Sequence, residues 1–430
     1  MTLPESFRFS VPVKQFFPGA YPLRGHVQHY DWGDPYSIPA LTGKPNRDKR
    51  PWAEFWMGAH SDLPSDVLVD GQWISLAEVI ANFPLTVLGE RVRASFKGAL
   101  PFLFKILAAA QPLSIQVHPT KSAAEEGFKK ENEIGVALDA RHRNYKDVNH
   151  KPEIIAALTP FYGLRGFRPI NEIRDQLSAL PEFSFLLNEF EKDASHSIRK
   201  LYGKLMSMDA GDVHERLAVV IQRLKERHFR QPFSRESAEY WVLQSNNCCS
   251  EHGLHDRGLM SFFLLNLVSL LPGQAMYLPA GVLHAYLEGV GVELMANSNN
   301  VLRGGLTSKH VDVDELMQHV SFNPEKVDIL SAKPLRESNT VQKYSSGAAE
   351  FELNQIASGS GQLEVTLSSN GPEILFPTKM PANGSCRMKW EGGEIAMKQG
   401  SPLLICHDVR YTLELDPDVR IFLALVPSKK

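Results

Sequence analysis

Apolar and polar residues alternate most regularly at residues 111–119, QPLSIQVHP. Side chains along a strand point to two faces in turn, so this pattern predicts one apolar face and one polar face. The polar face would carry a hydroxyl, an amide and an imidazole, which belong to Ser114, Gln116 and His118. Because burying polar groups without partners is costly, the polar row indicates a binding site.

The rest of the hydrophobic pattern predicts a mainly β chain that is interrupted by helices. Short apolar stretches separated by turn residues fill about residues 20–163, apart from a helix-like segment at 77–96. Apolar residues at helical spacing follow at about 169–230. Strand-like texture returns near residue 261 and again near 335, and RIFLALV is the expected last strand.

Gly273, Pro279, Gly281 and His284 have the spacing Gly-x5-Pro-x-Gly-x2-His, which resembles the second sequence motif of cupin barrels. In that motif the first glycine makes a hairpin turn, the proline and second glycine bend the chain at a corner, and the histidine points into the barrel mouth.

A weak echo of this spacing begins at Gly400 and leads to Cys406, Asp408 and Tyr411, so the corner residues and the histidine are missing. We therefore expect a second barrel that binds no metal. The predicted fold is a cupin-type double-stranded β-helix (jelly-roll) barrel with a helical insertion and a C-terminal β-barrel-like domain. The expected domains are the catalytic barrel from 1–165 plus 261–330, the insertion from 166–260, and the C-terminal domain from 331–430.

Composition places the chain among globular proteins and excludes some partners. The 430 residues are 43% hydrophobic and 22% charged, and their number suggests two or three domains. A formal net charge of −3 argues against nucleic acid or an anionic membrane as partner. The most apolar run, 261–279, is interrupted by Asn266 and by a Pro-Gly pair, and the N-terminus lacks a signal-like apolar core. We expect a cytoplasmic protein.

Four cysteines are present, at positions 248, 249, 386 and 406, and none forms a CxxC pair. Free thiols in a reducing compartment are the expected state. A bound metal would then be held by other ligands.

His118 and His284, together with Gln116 and the Glu153 that ends NHKPE, supply two imidazoles, an amide and a carboxylate. Such a set suits a divalent ion such as Zn²⁺ with an open coordination position. Spacing alone leaves open a polar network without metal. Glu293 alternates with apolar residues on a nearby predicted strand.

Arg303 and Lys309 flank two glycines in NSNNVLRGGLTSKH, directly after a strand that looks buried. Arginine binds phosphate through a planar fork, lysine is a compact cation, and glycine lets the backbone approach a ligand. The alternative is that both are ordinary surface charges. Their position after a buried strand favours a pocket.

Several motifs in order resemble the type I mannose-6-phosphate isomerase family: QPLSIQVHP, YKDVNHKPE, HAYLEGVGVELMANSNNVLRGGLTSKH, AEFWMGAH, LPFLFKILAAAQPLS and HVQHYDWG. They cover most of residues 20–330. The resemblance implies an enzyme that interconverts mannose 6-phosphate and fructose 6-phosphate through a cis-enediol. It also implies one zinc ion per chain.

The resemblance assigns residues to roles. The implied zinc ligands are Gln116, His118, Glu153 and His284. An essential arginine falls on Arg303, and active-site lysines fall on Lys105, Lys151 and Lys309. Among charged side chains, Lys151 and Glu293 are the candidate bases, with His150 behind them. Ser114 and Lys309 are expected at the phosphate, and Tyr286 and Trp32 at the sugar, although a core role is equally open for Trp32.

Three positions depart from the family pattern. Asn299 stands where the family usually has Asp, Gly305 or its neighbour replaces Ala, and Ser308 replaces Pro. Asparagine cannot act as a base, so any proton transfer at that position is in doubt, and the other two changes are expected only to loosen the loop.

Other classes of protein remain open on the sequence alone. They are a non-catalytic phosphosugar-binding cupin and a different metal enzyme on the same barrel, whose ligand pattern would be richer in histidine. The bifunctional isomerase/nucleotidyltransferase is excluded, because no glycine-rich nucleotide-binding signature lies near the N-terminus. We expect a monomer.

Overall fold

A computed structural model describes residues 15–248, 253–335, 340–382 and 384–428. The predictions for Cys249 and for the first 14 residues lie outside this part of the chain, as does the side chain of Cys248. The chain forms two compact units. Unit one comprises Met1–His29, Pro35–Ile106 and Ala332–Lys430, and unit two comprises Tyr30–Asp34 and Leu107–Ser331.

The strands, in chain order, are β1 (Ala20–Arg24), β2 (His26–Gln28), β3 (Glu54–Gly58), β4 (Asp66–Val69), β5 (Gln72–Ser75), β6 (Phe102–Ala109), β7 (Ile115–Val117), β8 (Glu153–Ala157), β9 (Phe161–Phe167), β10 (Leu265–Leu270), β11 (Gln274–Leu278), β12 (His284–Ala296), β13 (Leu302–Gly305), β14 (Leu330–Ser331), β15 (Lys333–Pro334), β16 (Val341–Tyr344), β17 (Glu352–Ala357), β18 (Leu363–Ser368), β19 (Glu373–Lys379), β20 (Arg387–Trp390), β21 (Gly393–Ala396), β22 (Leu403–Ile405), β23 (Arg410–Leu415) and β24 (Arg420–Leu425).

The α-helices are α1 (Ser37–Thr42), α2 (Leu76–Asn82), α3 (Pro84–Ser95), α4 (Lys121–Glu133), α5 (Ile170–Ser178), α6 (Ala194–Ser207), α7 (Ala210–Arg230), α8 (Ala238–Cys248), α9 (Ser261–Leu264) and α10 (Val313–His319). Two 3₁₀ helices, Pro181–Glu189 and Arg257–Met260, lie among them. Antiparallel sheets and helices together make a mixed fold. Among the helices described, none is both long enough and apolar enough to cross a bilayer.

Unit one contains a sheet with strand order β15-β16-β17-β24-β19-β22-β1-β4-β5 and a second sheet with order β18-β23-β20-β21. Strands β4 and β5 form a hairpin through Asp70 and Gly71, both with positive φ, as a two-residue type I′ turn requires. Cys386 and Cys406 are buried here as free thiols. Burial raises the pKa of the Cys406 thiol to about 12.

In unit two, strands β14, β11, β8 and β12 lie side by side, and β12 also pairs with β9 and β7. Strand β9 pairs with β10, and β7 pairs with β13. Helices α5 to α9 lie between β9 and β10 in the sequence. The apolar face of α7, from Val213 to Leu224, is buried in one core together with strand residues such as Ile115 and Val117.

Two predicted elements are shorter or more divided than expected. The strand at 111–119 is confined to β7, and Pro112 and Pro119, which have no N–H to donate to a ladder, lie outside it. The helix-like segment at 77–96 is two helices. Pro84 begins the second one, and Gly89 interrupts it with φ +72°.

The cupin-like spacing has a backbone basis. Gly273 and Gly281 both adopt positive φ, at +89° and +84°. At the echoed positions, Gly400 and Asp408 also adopt positive φ, at +70° and +59°. The echo therefore extends to backbone conformation, and Asp408 occupies the corner where the first motif has glycine.

Candidate metal centre

Strands of unit two position the candidate site. His284 begins β12 and lies opposite Gln116 in β7, and Gln116 also lies opposite Arg303 in β13. Directly opposed residues of antiparallel strands point to the same face, so these three side chains share one face. Glu153 is the first residue of β8, and His118 directly follows β7. The ends of neighbouring strands thus carry the predicted ligands.

His118, Glu153 and His284 form a compact cluster in which one ligand atom of each lies within 4.8 Å of the others. His118 Nε2 lies 3.5 Å from Glu153 Oε1, and His284 Nε2 lies 3.4 Å from Glu153 Oε2. All three side chains are buried. Three of the four predicted ligands are brought together, and strand register places the fourth, Gln116, beside His284.

Backbone carbonyls orient both imidazoles. His118 Nδ1 lies 2.7 Å from the carbonyl oxygen of Asn300, and His284 Nδ1 lies 2.9 Å from that of Val282. Because a carbonyl only accepts, each Nδ1 donates its proton, which leaves a lone pair on each Nε2. His118 Nε2 is buried and has no hydrogen-bond partner among the described residues. Two imidazole nitrogens and a carboxylate arranged in this way fit a zinc ion.

The local charges favour the protonation states that bind metal. Burial lowers the pKa of His118 to about 4, despite the opposing attraction of Glu153. Burial by itself would raise the pKa of Glu153, but the Lys151 ammonium and the imidazoles together hold that pKa well below its ordinary value. A neutral imidazole and an ionised carboxylate are the forms that ligate a metal.

The two candidate bases lie near Glu153. Lys151 Nζ is 2.9 Å from Glu153 Oε1. Glu293 is buried in β12 opposite Ile155 of β8, and its neighbour on the same face, Met295, lies opposite Glu153. Both candidates therefore have positions compatible with the site, and their roles as bases stay predictions.

Arg303 and Lys309 are cations without acidic partners in the described part of the chain. Burial lowers the pKa of Arg303, and burial followed by repulsion from Arg303 lowers that of Lys309. Each ammonium or guanidinium is therefore partly desolvated beside a like charge. A dianionic phosphate is a ligand that would relieve both effects.

Three further residues that were predicted to contact the substrate lie in different surroundings. Ser114 is half-buried just before β7, on the side of the strand that carries Gln116. Trp32 and Tyr286 pack on one apolar cluster. The Tyr286 ring centroid lies 6.3 Å from that of His284, which leaves Tyr286 next to the metal centre. Contact of these residues with substrate stays a prediction.

Lys105 belongs to unit one, where it is buried on β6. Its Nζ lies 3.3 Å from Glu54 Oε1 and 5.2 Å from the centroid of the Trp56 ring. Trp56 Nε1 donates to the other oxygen of Glu54 at 2.6 Å. Lys105 thus has a structural ion pair, and its predicted contact with substrate stays untested.

Sequence reasoning missed a polar network behind the ligands. Asn300 is fully buried, and its side-chain amide bonds the backbone of residues 146–149. The Asp147 carboxylate accepts from Ser298 Oγ at 2.9 Å and from the backbone N–H of Asn299 at 2.7 Å. The signal in the sequence was the density of Asn, Asp and Ser in YKDVNH and NSNN, since these residues often bond nearby backbone.

Comparison with known proteins identifies the family. The family model described as phosphomannose isomerase type I, catalytic domain, matches residues 20–170. Mannose-6-phosphate isomerase of Escherichia coli is 38% identical over 380 residues, which cover 87% of this chain and 93% of that protein. The chain belongs to the type I phosphomannose isomerase family. The predicted family is confirmed.

Other phosphomannose isomerases are similar to this chain in sequence and in structure. Human mannose-6-phosphate isomerase is 35% identical over 334 residues, which cover 71% of this chain and 74% of that protein. A crystal structure of mannose 6-phosphate isomerase in its zinc-bound form has a TM-score of 0.82 at 32% identity and covers 95% of this chain and 100% of that one. The apo form from Salmonella typhimurium has a TM-score of 0.81. The likeness to phosphomannose isomerases therefore extends over nearly the whole chain.

Proposed function

We propose that this chain is a zinc-dependent aldose–ketose isomerase that interconverts mannose 6-phosphate and fructose 6-phosphate. The observation that carries the proposal is the convergence of His118, Glu153 and His284, with the unpartnered Nε2 of His118 facing the carboxylate. The isomerase names and the zinc-bound form among the relatives supply the reaction and the metal. These relatives do not favour the alternative, a non-catalytic phosphosugar-binding cupin.

Gln116, His118, Glu153 and His284 would hold the zinc ion. An ion held there would supply Lewis-acid chemistry for negative charge that develops on the substrate oxygens. The chain's own contribution is to fix the ligands: carbonyl acceptors hold both imidazoles in the ligating tautomer, and burial keeps water away from the carboxylate.

The reaction also needs a group that moves a proton between C1 and C2 of the sugar through a cis-enediol. We assign this step to Lys151, which is ion-paired with Glu153, or to Glu293, which shares a strand face with Met295, the residue opposite Glu153. His150 is the reserve candidate. Asn299 has no ionisable side chain and takes no part as a base.

Arg303 would bind the reacting end of the sugar or its phosphate, and Lys309 and Ser114 the phosphate. Both cations are partly desolvated and have no acidic partner among the residues that the structure describes, which supports this assignment. Tyr286 and Trp32 would line the sugar pocket, and Lys105 is retained as a substrate contact on the family resemblance alone.

The finer architecture belongs to the same proposal. The strands of unit two would form the cupin-type barrel, with 166–260 as its helical insertion, and 331–430 would belong to a β domain without metal. Strands β1, β4 and β5, which the sequence placed in the barrel, share a sheet with strands of 331–430. The left-handed corners at Gly273 and Gly281 support the barrel motif. The monomeric state and the cytoplasmic location stay predictions.

Zinc stoichiometry and turnover measured on one purified sample test the proposed function. We expect one zinc ion per chain, formation of fructose 6-phosphate in a coupled assay, loss of activity with EDTA, and recovery with added Zn²⁺. Full turnover by metal-free protein would reject the site. Stoichiometric zinc and sugar-phosphate binding without turnover would instead support the non-catalytic alternative.

A further inference from the structure

The network behind the ligands centres on one side chain. The Asn300 amide donates through Nδ2 to the backbone oxygens of Asp147 and Asn149, each at 2.8 Å. Its Oδ1 accepts from the backbone N–H groups of Lys146 and Asp147, at 2.7 and 3.2 Å. Asn300 has no exposed surface, so water cannot replace these bonds. All four hydrogen-bonding positions of the amide are used.

Asn300 also contacts a metal ligand through its backbone. Its carbonyl oxygen lies 2.7 Å from His118 Nδ1 and thereby fixes the ring so that Nε2 faces Glu153. The segment held by the side chain leads within two residues to Lys151, which is ion-paired with Glu153. One buried residue therefore joins the segment that precedes Glu153 to the ring of His118.

Neighbouring bonds strengthen this junction. Ser298 Oγ donates to Asp147 Oδ1 at 2.9 Å and accepts from the backbone N–H of Asn300 at 3.2 Å. The second oxygen of Asp147 accepts from the backbone N–H of Asn299. Residues 298–300 and residues 146–149 thus each donate hydrogen bonds to the other segment. Neither segment can move without breaking buried hydrogen bonds.

We propose that Asn300 is a positioning residue of the metal centre, which holds His118 and the 146–151 segment in the arrangement that binds zinc. Partners that orient metal ligands commonly affect affinity by about 10- to 100-fold when they are removed. The inference rests on the proposed function only for the identity of the metal, because its test measures zinc binding rather than turnover.

Asn300→Asp is the most direct test, because the side chain keeps its size but turns a carboxylate toward two carbonyl oxygens. We expect the dissociation constant for zinc, measured by competition with a chelator on folded protein, to rise about 10- to 100-fold. Zinc should also leave faster, and a spectroscopic probe such as Co²⁺ should report altered ligand geometry.

Asn266→Asp is the matched control. Asn266 Nδ2 also donates to backbone carbonyls, those of Arg165, Gly166, Phe167 and Glu325, but none of these residues is a predicted ligand. This variant should lose thermal stability and keep the wild-type zinc affinity.

A zinc affinity of Asn300→Asp equal to that of the wild type, with only a loss of stability, would overturn the inference. If Asn300→Asp does not fold, Ser298→Ala carries the test, and we expect its zinc affinity to fall by about 3- to 10-fold because two bonds of the junction are lost. An unchanged affinity in Ser298→Ala would then overturn the inference. Absence of zinc binding by the wild type would reject the proposed function itself.

Discussion

At the scale of single residues, the proposed role of Arg303 gives the most direct kinetic test. Arg303→Ala should lower kcat by about 100-fold, because a partly buried cation at the proposed sugar-phosphate site would stabilise developing charge. Arg303→Lys is the control, since it keeps the charge and loses the planar fork. Steady-state kinetics measure the difference: a rise in KM with unchanged kcat would show that Arg303 binds the ground state and the transition state equally and does not act on the chemical step.

Glu373 of unit one makes stability depend on pH. Burial raises its pKa to about 7, although Tyr411 donates a hydrogen bond of 2.7 Å to its carboxylate. Between the ordinary value of 4.5 and about 7, the folded chain keeps this proton and the unfolded chain releases it, so stability falls as pH rises through that window. The loss is complete above pH 7 and amounts to roughly 3 kcal/mol.

Glu373→Gln should therefore be more stable than the wild type at pH 8 and closely similar at pH 5. Urea unfolding at several pH values measures the difference. The exposed Glu364→Gln is the control and should show no such window. If the free energies of unfolding of Glu373→Gln and the wild type differed by the same amount from pH 5 to pH 8, Glu373 would not be the source of the pH dependence.

Local pattern in the sequence singled out the candidate ligands, and the family resemblance implied that they bind zinc. His118 and Gln116 share a strand face, Glu153 begins an apolar strand, and His284 completes the corner motif. Asn300 was not predictable, because its importance comes from contacts with residues about 150 positions earlier in the chain. Such long-range pairing leaves no periodic trace in a single sequence.

At the scale of elements, the glycines of β13 are more constrained than the sequence suggested. Gly305 adopts φ +135°, and a Cβ there would lie 2.6 Å from the Cα of Gly258 in the neighbouring 3₁₀ helix. The expectation that glycine here only loosens the loop is wrong. Gly305 lets two backbones touch, and it stands one position from Gly304, where a Cβ would meet the Tyr202 hydroxyl.

Gly305→Ala should destabilise the protein by about 3 kcal/mol or more, through backbone strain and a backbone clash. Gly273→Ala is the matched control, because Gly273 also has positive φ but no atom within 4 Å of the added Cβ. It should lose about 1 kcal/mol. Equal losses in the two variants, measured by chemical unfolding, would show that the contact with Gly258 carries no energy.

The helical spacing in the sequence predicted the apolar face of α7, which the structure retains, and the helix begins after an Asp209 cap. The hairpin at Asp70 and Gly71 was not predicted, although its two residues are those that a type I′ turn requires. The length of the strand at 111–119 was overestimated because alternation included two prolines, which cannot donate an N–H to a ladder. Alternation predicts which face a residue occupies but not where the ladder ends.

At the scale of the whole molecule, zinc should stabilise the strands of unit two. A ligand that binds only the folded state adds about 4 kcal/mol when its concentration is 1,000 times the dissociation constant. Hydrogen exchange with zinc or with EDTA should therefore differ most at β7, β8 and β12, which carry the proposed ligands at or next to their ends.

Glu153→Gln is the control for this effect, because it removes the anionic group of the proposed ligand set. Its thermal midpoint should respond little to zinc. A zinc-dependent shift of wild-type size in Glu153→Gln would mean that the ion stabilises the protein from another position.

The buried thiols of unit one offer a different use. Cys406 reacts as a thiolate only after its surroundings open, because burial holds its pKa near 12. The rates at which Cys386 and Cys406 are alkylated, followed by peptide mass mapping, would therefore report local unfolding near β20 and β22. The two native thiols would thus report how often unit one opens locally.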